Sequence, residues 1–206
     1  MTSQYALLAA AWALFCLFHS LLAATAVESA LRRVMGRLAP WYRLMYNIFA
    51  IVTVLPPVLM EKRWAGETLL RLGSWDMARQ AIFYSVVAAF IWAIFHYRGT
   101  NISGLSPSHG PSAPPVDGEF RTGGPLRYVR HPLYSLAFIL LWSRPLTDAA
   151  LVTNLILSIY ILLGARLEEE RLTSRFGDEY VKYKSGVSAF LPLRWPGARE
   201  ETRRSG

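Results

Sequence analysis

The chain has 206 residues, of which 53% are hydrophobic and 17% are charged, and it carries a formal net charge of +8. This composition is too apolar for an ordinary soluble domain, whose surface needs more polar side chains to meet water. The only cysteine, Cys16, excludes an intramolecular disulfide and a zinc site built from several cysteines. The composition therefore indicates a membrane protein.

Long apolar segments recur along the chain and predict membrane-spanning helices. Four of them carry at most one charged residue: residues 5–27, 42–60, 81–97 and 149–165. Nothing basic precedes the first segment and no clean small-residue cleavage site follows it. We therefore expect it to be a permanent span rather than a secretory signal.

A further apolar run, residues 133–142, is short. About 11 helical residues would cover roughly 16 Å, against a hydrocarbon thickness of about 30 Å. The run either starts earlier, near Leu126, or forms a helical hairpin with the run that follows. We predict an all-α fold, an integral membrane helical bundle of about five transmembrane helices with a C-terminal cytosolic helical segment.

The distribution of basic residues predicts an orientation. With five crossings and an external N-terminus, the cytoplasmic segments are residues 28–43, 98–131 and 166–206, and they hold 17 of the 22 lysines and arginines. This positive-inside bias predicts a multi-pass protein of the cell membrane, in a bacterial inner membrane, with the lipid bilayer as a partner. It also accounts for the basic charge without a nucleic-acid partner.

We expect a single domain over residues 1–206. Residues 1–97 would hold three spans, and residues 98–125 would form a cytosolic loop rich in glycine and proline. Residues 126–192 would hold the helical hairpin and a charged C-terminal segment, followed by a tail of residues 193–206.

The pattern changes after Ala165, where charged residues replace the apolar run. Apolar side chains recur there at helical spacing: Leu167, Leu172, Phe176, Tyr180 and Tyr183. We expect either that the last span continues beyond the bilayer or that a separate cytosolic helix follows a break at Gly177.

Basic residues stand directly before the short apolar run. Pro132 suits the first turn of a helix, because its missing N–H costs nothing there. Arg127, Arg130 and His131 would then lie at a helix N-terminus, where backbone amides and the helix dipole favour a carboxylate or phosphate. The alternative is that these residues only anchor the helix at the membrane surface.

Three consecutive glutamates, Glu168, Glu169 and Glu170, follow the last apolar run. Carboxylates are unfavourable near a helix C-terminus, so these three must be solvated or must hold a cation. One interpretation is a solvated face paired with Arg171 and Arg175, and the other is a site for a cationic or hydroxyl-rich ligand. Because a tight turn joins the two helices, we expect this cluster to neighbour the arginine and histidine that precede the short run.

Polar side chains interrupt the first two spans. His19 and Ser20 lie in the first, and Arg43, Tyr46 and Asn47 lie in the second. Such groups rarely face lipid, so we expect the histidine, arginine, tyrosine and asparagine to line a substrate pocket. The alternatives are an interhelical hydrogen bond for the histidine and snorkelling of the arginine toward the membrane surface.

Other motifs are missing from the sequence. It contains no glycine-rich dinucleotide-binding motif, no Walker loop and no His-Glu-x-x-His motif. The four histidines are too scattered to predict a metal site, and no Ser/His/Asp set can be placed. The sequence therefore assigns no catalytic residue and no metal.

Two segments carry a family resemblance: GGPLRYVRHPLYSLAF and LEEERLTSRFGDEYVKYKSGVSAFLP. Over residues 123–192 they resemble the C-terminal half of the isoprenylcysteine carboxyl methyltransferase superfamily. That superfamily includes phospholipid N-methyltransferases, methanethiol S-methyltransferases and NnrU-like membrane proteins. In the N-terminal half, FHSLLA and WYRLMYN are similar to the methanethiol S-methyltransferase and NnrU-like branches.

The resemblance implies a methyltransferase that uses S-adenosylmethionine, with its site facing the cytoplasm. Glu168 and Glu169 match the family's acidic pair and would hydrogen-bond amine or ribose groups. Phe176, Tyr180 and Tyr183 match a Phe-Gly-x-x-Tyr-x-x-Tyr segment that would close over the site. The cofactor-binding residues that the resemblance implies are Tyr128, Val129, Arg130, His131, Pro132, Tyr134, Glu168, Glu169, Tyr180 and Tyr183.

The expected acceptor is a small lipophilic thiol such as methanethiol. Isoprenylcysteine enzymes tend to have a basic residue before a Val-Pro near the end of the matched segment, whereas Gly186 stands there in this chain. A group that could recognise a prenylcysteine carboxylate is therefore missing. The alternatives are an NnrU-like non-enzymatic protein linked to nitrogen-oxide respiration, a prenylcysteine or phospholipid methyltransferase, and a sterol-type membrane reductase with a nicotinamide cofactor.

Overall fold

The computed structural model describes residues 2–70, 75–96, 120 and 122–192. Within these ranges the chain forms seven α-helices, and the predicted all-α class is confirmed. The helices are α1 (Thr2–Ala23), α2 (Thr25–Met35), α3 (Tyr42–Arg63), α4 (Asp76–His96), α5 (Pro132–Trp142), α6 (Asp148–Phe176) and α7 (Asp178–Gly186). Most of the predicted loop of residues 98–125, and the predicted tail, lie outside the described residues.

The bundle is built around α6. Helix α1 packs against α6 and α3, α5 folds back on α6, and α4 packs against α5. Leu8 and Trp12 of α1 meet Ala149 of α6 in a small buried core. The indole N–H of Trp12 also donates a hydrogen bond of 2.8 Å to Thr153 of α6, so a polar contact joins the two helices inside an apolar interface.

Three described stretches are long and apolar enough to cross a membrane: Ser3–Ala23, Thr25–Arg63 and Asp148–Phe176. Helix α5 is apolar but shorter. Many large apolar side chains are exposed on the outside of the bundle, as expected of helices whose surroundings are lipid. The number of about five crossings and their orientation remain predictions.

Helix α5 begins at Pro132, and the chain before it is not a continuous helix. A 3₁₀ turn covers Gly124–Arg127, and four non-helical residues separate it from α5. Residues 143–147 then reverse the chain into α6. The short apolar run therefore does not extend back to Leu126 as an α-helix, and the predicted helical hairpin is confirmed.

Helix α6 joins the last apolar run to the charged segment in one uninterrupted helix of 29 residues. Its first turn is capped by Thr147, whose side-chain oxygen accepts from the N–H of Ala150 at 3.2 Å. It ends at Gly177, whose φ of 53° is a conformation that residues with a side chain rarely adopt. Helix α7 starts at the next residue, so the apolar run and the charged segment share one helix and a separate helix also follows the break at Gly177, which combines the two predicted alternatives.

A polar network closes the turn between α5 and α6. The guanidinium of Arg144 donates to Glu61 of α3 at 2.7 Å and to the side-chain oxygen of Asn154 of α6 at 2.6 Å. The amide nitrogen of the buried Asn154 donates in turn to the carbonyl of Leu141 at 3.0 Å. These contacts fix α3, α5 and α6 relative to one another at the end of the bundle opposite the glutamate cluster.

Replacing Arg144 with methionine should lower the stability of the detergent-solubilised protein by about 2 kcal/mol, because Glu61 and Asn154 lose their partner in a partly buried site. Thermal unfolding measures the change. Arg166→Met is the matched control, since it removes the same charge from an exposed pair with Glu170 and should change stability little. Equal losses in the two variants would contradict this role of Arg144.

Candidate functional site

The basic and acidic clusters meet where α5 begins and α6 leaves its apolar stretch. Arg130 donates to Glu169 Oε1 from Nε at 2.8 Å and from Nη2 at 2.6 Å. The His131 ring lies between two carboxylates, with Nε2 3.2 Å from Glu169 Oε1 and Nδ1 3.5 Å from Glu168 Oε2. The short hairpin therefore brings the two clusters together, as their positions in the sequence predicted.

The segment after α7 runs alongside the start of α5. The backbone N–H groups of Arg130 and His131 donate to the carbonyls of Ser188 and Ala189 at 2.9 and 3.0 Å. Two amides at this helix start are therefore satisfied by the chain itself. The sequence predicted a carboxylate or phosphate ligand near these basic residues. The carboxylate observed beside Arg130 and His131 is that of Glu169.

A lysine completes the surroundings of Glu169. The Lys184 ammonium lies 2.6 Å from Glu169 Oε2, and its side chain is 46% exposed whereas that of Glu169 is 12% exposed. The guanidinium of Arg130 also donates to the carbonyls of Lys184 and Val187, so it holds the end of α7 as well as the carboxylate. Sequence reasoning did not find Lys184, because its contact depends on the turn at the end of α6.

The three glutamates have different surroundings although they are consecutive. Glu169 faces α5 and its cations, Glu168 is half-exposed, and Glu170 forms an exposed pair with Arg166 at 3.3 Å. The solvated-face interpretation therefore describes Glu170, although the pairing observed is with Arg166, which was not one of the predicted partners. The cation-holding interpretation describes Glu169, and the cations it holds are side chains of this protein.

Aromatic rings from α6 and α7 surround Phe120. The centroid of its ring lies 5.1, 5.6 and 5.2 Å from those of Phe176, Tyr180 and Tyr183. The Tyr183 hydroxyl donates to the carbonyl of Leu126 at 2.7 Å. The predicted aromatic segment therefore packs over the chain that leads into α5, and Phe120 is a member that the sequence did not indicate.

The Tyr180 hydroxyl is a buried polar group beside the carboxylate. The residue is 1% exposed, and its hydroxyl has no hydrogen-bond partner of ordinary geometry within the described ranges. Burial and the nearby charge of Glu169 raise the pKa of Tyr180 to about 12, although the Arg130 guanidinium acts in the opposite direction. The phenol is therefore neutral near pH 7, and its O–H can donate to a ligand.

An open cleft of about 380 Å³ lies beside this cluster. Phe120 and Tyr183 supply aromatic surface, Arg127 and Lys182 supply positive charge, and Glu179 supplies one carboxylate. The volume falls within the range of about 300–1,000 Å³ that is usual for small-molecule sites.

The other residues predicted around the start of α5 lie next to this cluster. Val129 forms an isolated β-bridge with Ser188, and Pro132 opens α5. The Tyr134 ring centroid lies 5.4 Å from that of His131. Tyr128 is exposed.

Polar residues of the candidate membrane-spanning helices form a second cluster. The Tyr46 hydroxyl of α3 lies 2.9 Å from His19 Nε2 of α1, which is the interhelical hydrogen bond considered for this histidine. The Tyr160 hydroxyl of α6 lies 2.9 Å from Ser20 Oγ, and its ring centroid is 6.4 Å from that of His19. Sequence reasoning missed Tyr160, because one uncharged tyrosine in an apolar run gives no signal.

The two clusters occupy different depths along α6. Arg43 lies three residues before Tyr46 and four before Asn47, so it is about one helical turn from each of them on α3. Tyr46 and Tyr160 both flank the His19 ring, and Tyr160 is eight residues, or about 12 Å, before Glu168. The residues predicted for substrate and those predicted for cofactor are therefore about two helical turns apart and are joined by one helix.

The chain is similar to several proteins named methanethiol S-methyltransferase. It is 38% identical over 120 residues to the one from Pseudomonas deceptionensis, covering 56% of this chain and 44% of that protein. It is 29% identical over 192 residues to the one from Crocosphaera subtropica, covering 87% of this chain and 71% of that protein. It is 40% identical over 76 residues to methanethiol S-methyltransferase 1 from Bradyrhizobium diazoefficiens, covering 36% of this chain and 27% of that protein.

The matched regions thus cover less than half the length of the Pseudomonas and Bradyrhizobium relatives and 71% of the Crocosphaera relative. No family model matches the chain. No solved structure matches it. The similarities support the methanethiol S-methyltransferase branch of the resemblance that the sequence motifs indicated.

Proposed function

We propose that this chain is an integral-membrane methyltransferase that transfers the methyl group of S-adenosylmethionine to a small lipophilic thiol such as methanethiol. The observation that carries the proposal is the surroundings of Glu169. One carboxylate oxygen is held by Arg130 and His131, and the other is held by the half-exposed ammonium of Lys184. A ligand ammonium has the same chemistry as that lysine and can replace it. The names of the similar proteins support the same reaction class.

The residues around the cleft suit the other groups of the cofactor. Its carboxylate matches the positive charges of Arg127 and Lys182, and its adenine matches the rings of Phe120 and Tyr183. The buried Tyr180 hydroxyl is a donor that a ribose or carboxylate oxygen would satisfy. When bound, the cofactor supplies a methyl group on a sulfonium sulfur.

The main tasks of the protein in this reaction are to position the two reactants and to keep water away from the acceptor. Methyl transfer is a direct displacement, so the acceptor must approach in line with the departing sulfur and must lose its hydration shell. A thiol needs no covalent activation, because its thiolate is strongly nucleophilic once the thiol proton is lost. The reaction therefore does not require a Ser/His/Asp set.

Two observations support a thiol as the acceptor: a basic residue is missing at one position of the cleft, and the similar proteins are named for a thiol substrate. Gly186 lines the cleft at the position where isoprenylcysteine enzymes tend to have a basic residue. A prenylcysteine carboxylate would therefore find no cation at that point. The names of these relatives specify a thiol, and they do not favour the phospholipid, nitrogen-oxide or sterol-reductase alternatives.

Binding of S-adenosylhomocysteine, the demethylated cofactor, should respond in opposite directions to two substitutions. Glu169→Gln should weaken binding at least tenfold, because a charge-assisted hydrogen bond is worth about 1.5–3 kcal/mol. Lys184→Met should tighten binding about fivefold, because a competing exposed ion pair of about 1 kcal/mol is removed. Calorimetry on the detergent-solubilised protein measures both constants.

Arg166→Met is the matched control for Lys184→Met, since it removes one positive charge from the same region without touching Glu169. It should leave the affinity unchanged. Unchanged binding in Glu169→Gln, with thermal unfolding intact, would place the cofactor elsewhere.

Radiolabelled S-adenosylmethionine should label small thiols in preference to larger acceptors. The panel contains methanethiol, longer alkyl thiols, a prenylcysteine and phosphatidylethanolamine, and label is followed into the volatile thioether and the lipid fraction. Transfer only to the phospholipid or the prenylcysteine would reject the thiol while keeping the methyltransferase. Binding of NADPH in place of the methyl donor would reject the methyltransferase itself.

A further inference from the structure

Helices α1 and α6 run side by side in the same direction, and their contacts place the end of α1 along α6. Trp12 donates to Thr153 at 2.8 Å, and eight residues further along α1 Ser20 lies 2.9 Å from Tyr160. Helix α1 ends three residues after Ser20, and α6 reaches its first charged residue after the apolar stretch, Arg166, six residues after Tyr160. In a helix these separations are roughly 5 and 9 Å. The chain that leaves α1 therefore lies near the level where α6 becomes charged.

The segment at this level is an elbow that connects α1 to α3, formed by α2 and the 3₁₀ helix Gly36–Trp41. Arg32 holds its inner side. The guanidinium donates to Glu28 at 2.8 Å and to the carbonyl of Ala39 at 2.7 Å, and it lies 5.2 Å from the ring centroid of Tyr42. Glu28 is buried, at 3% exposure. The charge of Arg32 is therefore balanced inside the protein, and this contact holds the elbow in shape.

The outer side of the elbow combines exposed arginines with exposed apolar side chains. Arg33 and Arg37 are exposed, and within the described ranges neither forms a salt bridge. Arg33 spends one of its five donors on the carbonyl four residues before it, at 3.3 Å. Val34, Leu38 and Trp41 are 85%, 57% and 38% exposed. Positive charge and apolar surface together are typical of a helix that lies at a membrane surface.

The exposed apolar side chains continue from the elbow onto α3. Met45 follows Trp41 by one helical turn, and Ile48 and Val52 follow at intervals of three and four residues, so they share one face. These three residues of α3 are 49%, 53% and 57% exposed, and they belong to a candidate membrane span. The outer side of the elbow therefore extends a surface suited to lipid tails. Trp41 stands where tryptophan is enriched, at the level of the headgroups.

We propose that the outer side of the elbow binds acidic phospholipids, with Arg33 and Arg37 on the headgroup phosphates and Val34, Leu38 and Trp41 among the acyl chains. A guanidinium stays charged and presents paired donors that match phosphate oxygens. A soluble anion would leave the three apolar side chains in water, whereas a phospholipid covers them as well. This surface is separate from the cleft, so its lipid binding does not depend on the proposed function.

The first experiment titrates phosphatidylglycerol or phosphatidylcholine into the purified full chain in neutral detergent and follows the unfolding temperature. Phosphatidylglycerol should stabilise the wild-type protein at lower concentration than phosphatidylcholine. The double variant Arg33→Gln with Arg37→Gln should weaken the apparent affinity for phosphatidylglycerol about 25-fold, since each arginine near an acidic lipid surface contributes about fivefold. The affinity for phosphatidylcholine should not change.

The matched control is the double variant Lys62→Gln with Arg63→Gln. It removes two exposed positive charges from the last turn of α3, at the other end of that helix from the elbow. It should leave the affinity for phosphatidylglycerol unchanged. Equal losses in the two double variants would mean that the lipid responds only to net charge, which would overturn the proposal.

A depth measurement tests the apolar half of the surface without altering the arginines. A nitroxide is attached to Leu38→Cys in a Cys16→Ala background, and the protein is placed in bilayers that contain phosphatidylglycerol. The label should be more accessible to oxygen than to a water-soluble nickel chelate. A label on Glu170→Cys, whose native side chain is 61% exposed beyond the apolar part of α6, should show the opposite preference.

Three further results would reject the lipid surface. One is access of the nickel chelate to the label at position 38, which would place the elbow in water. Another is equal stabilisation of the wild-type protein by the two lipids. The third is stabilisation by inorganic phosphate as strong as that by phosphatidylglycerol, which would make the ligand a soluble anion.

Discussion

The ion pair between Arg130 and Glu169 is the contact on which the rest of the site depends. The arginine uses its planar set of donors to reach one carboxylate oxygen twice and two backbone carbonyls near the end of α7. Both side chains are nearly buried, at 11% and 12% exposure, so either one without the other would leave a desolvated charge. One guanidinium therefore contacts α6 and the end of α7 from the start of α5, and the backbone hydrogen bonds of Arg130 and His131 to Ser188 and Ala189 reinforce the same junction.

A second set of polar contacts holds the other end of the bundle. Arg144 joins α3 to the turn between α5 and α6, and the indole of Trp12 joins α1 to α6. Burial of apolar surface does not by itself bring helices together in lipid, because lipid tails are as apolar as leucine. Close packing and a few hydrogen bonds must then fix the geometry. Helix α6 takes part in both sets, so it determines the distance between the charged cluster and the membrane interior.

This arrangement suits a reaction between a polar molecule and a lipophilic one. The charged cluster, the open cleft and the neutral Tyr180 phenol lie at the polar end of α6, where a water-soluble cofactor would arrive. The cluster of His19, Tyr46 and Tyr160 lies about two turns deeper, among apolar helices. In the proposed function the two reactants approach from opposite directions along one helix.

The sequence alone determined the helical class, and it offered the hairpin and the break at Gly177 as one of two alternatives in each case. Apolar runs, a proline at a helix start and a glycine at a helix end are local signals that act within a few residues. It also predicted that the basic and acidic clusters meet. Two helices joined by a short turn pack side by side in antiparallel directions, which brings the start of the first helix near the far end of the second. Only the tertiary structure decided which glutamate faces inward. Consecutive residues of a helix point about 100° apart, so Glu169 faces Arg130 while Glu170 faces outward to Arg166. The contacts of Lys184 and Tyr160 were equally hidden, because their partners come from distant segments that only the packed bundle brings together.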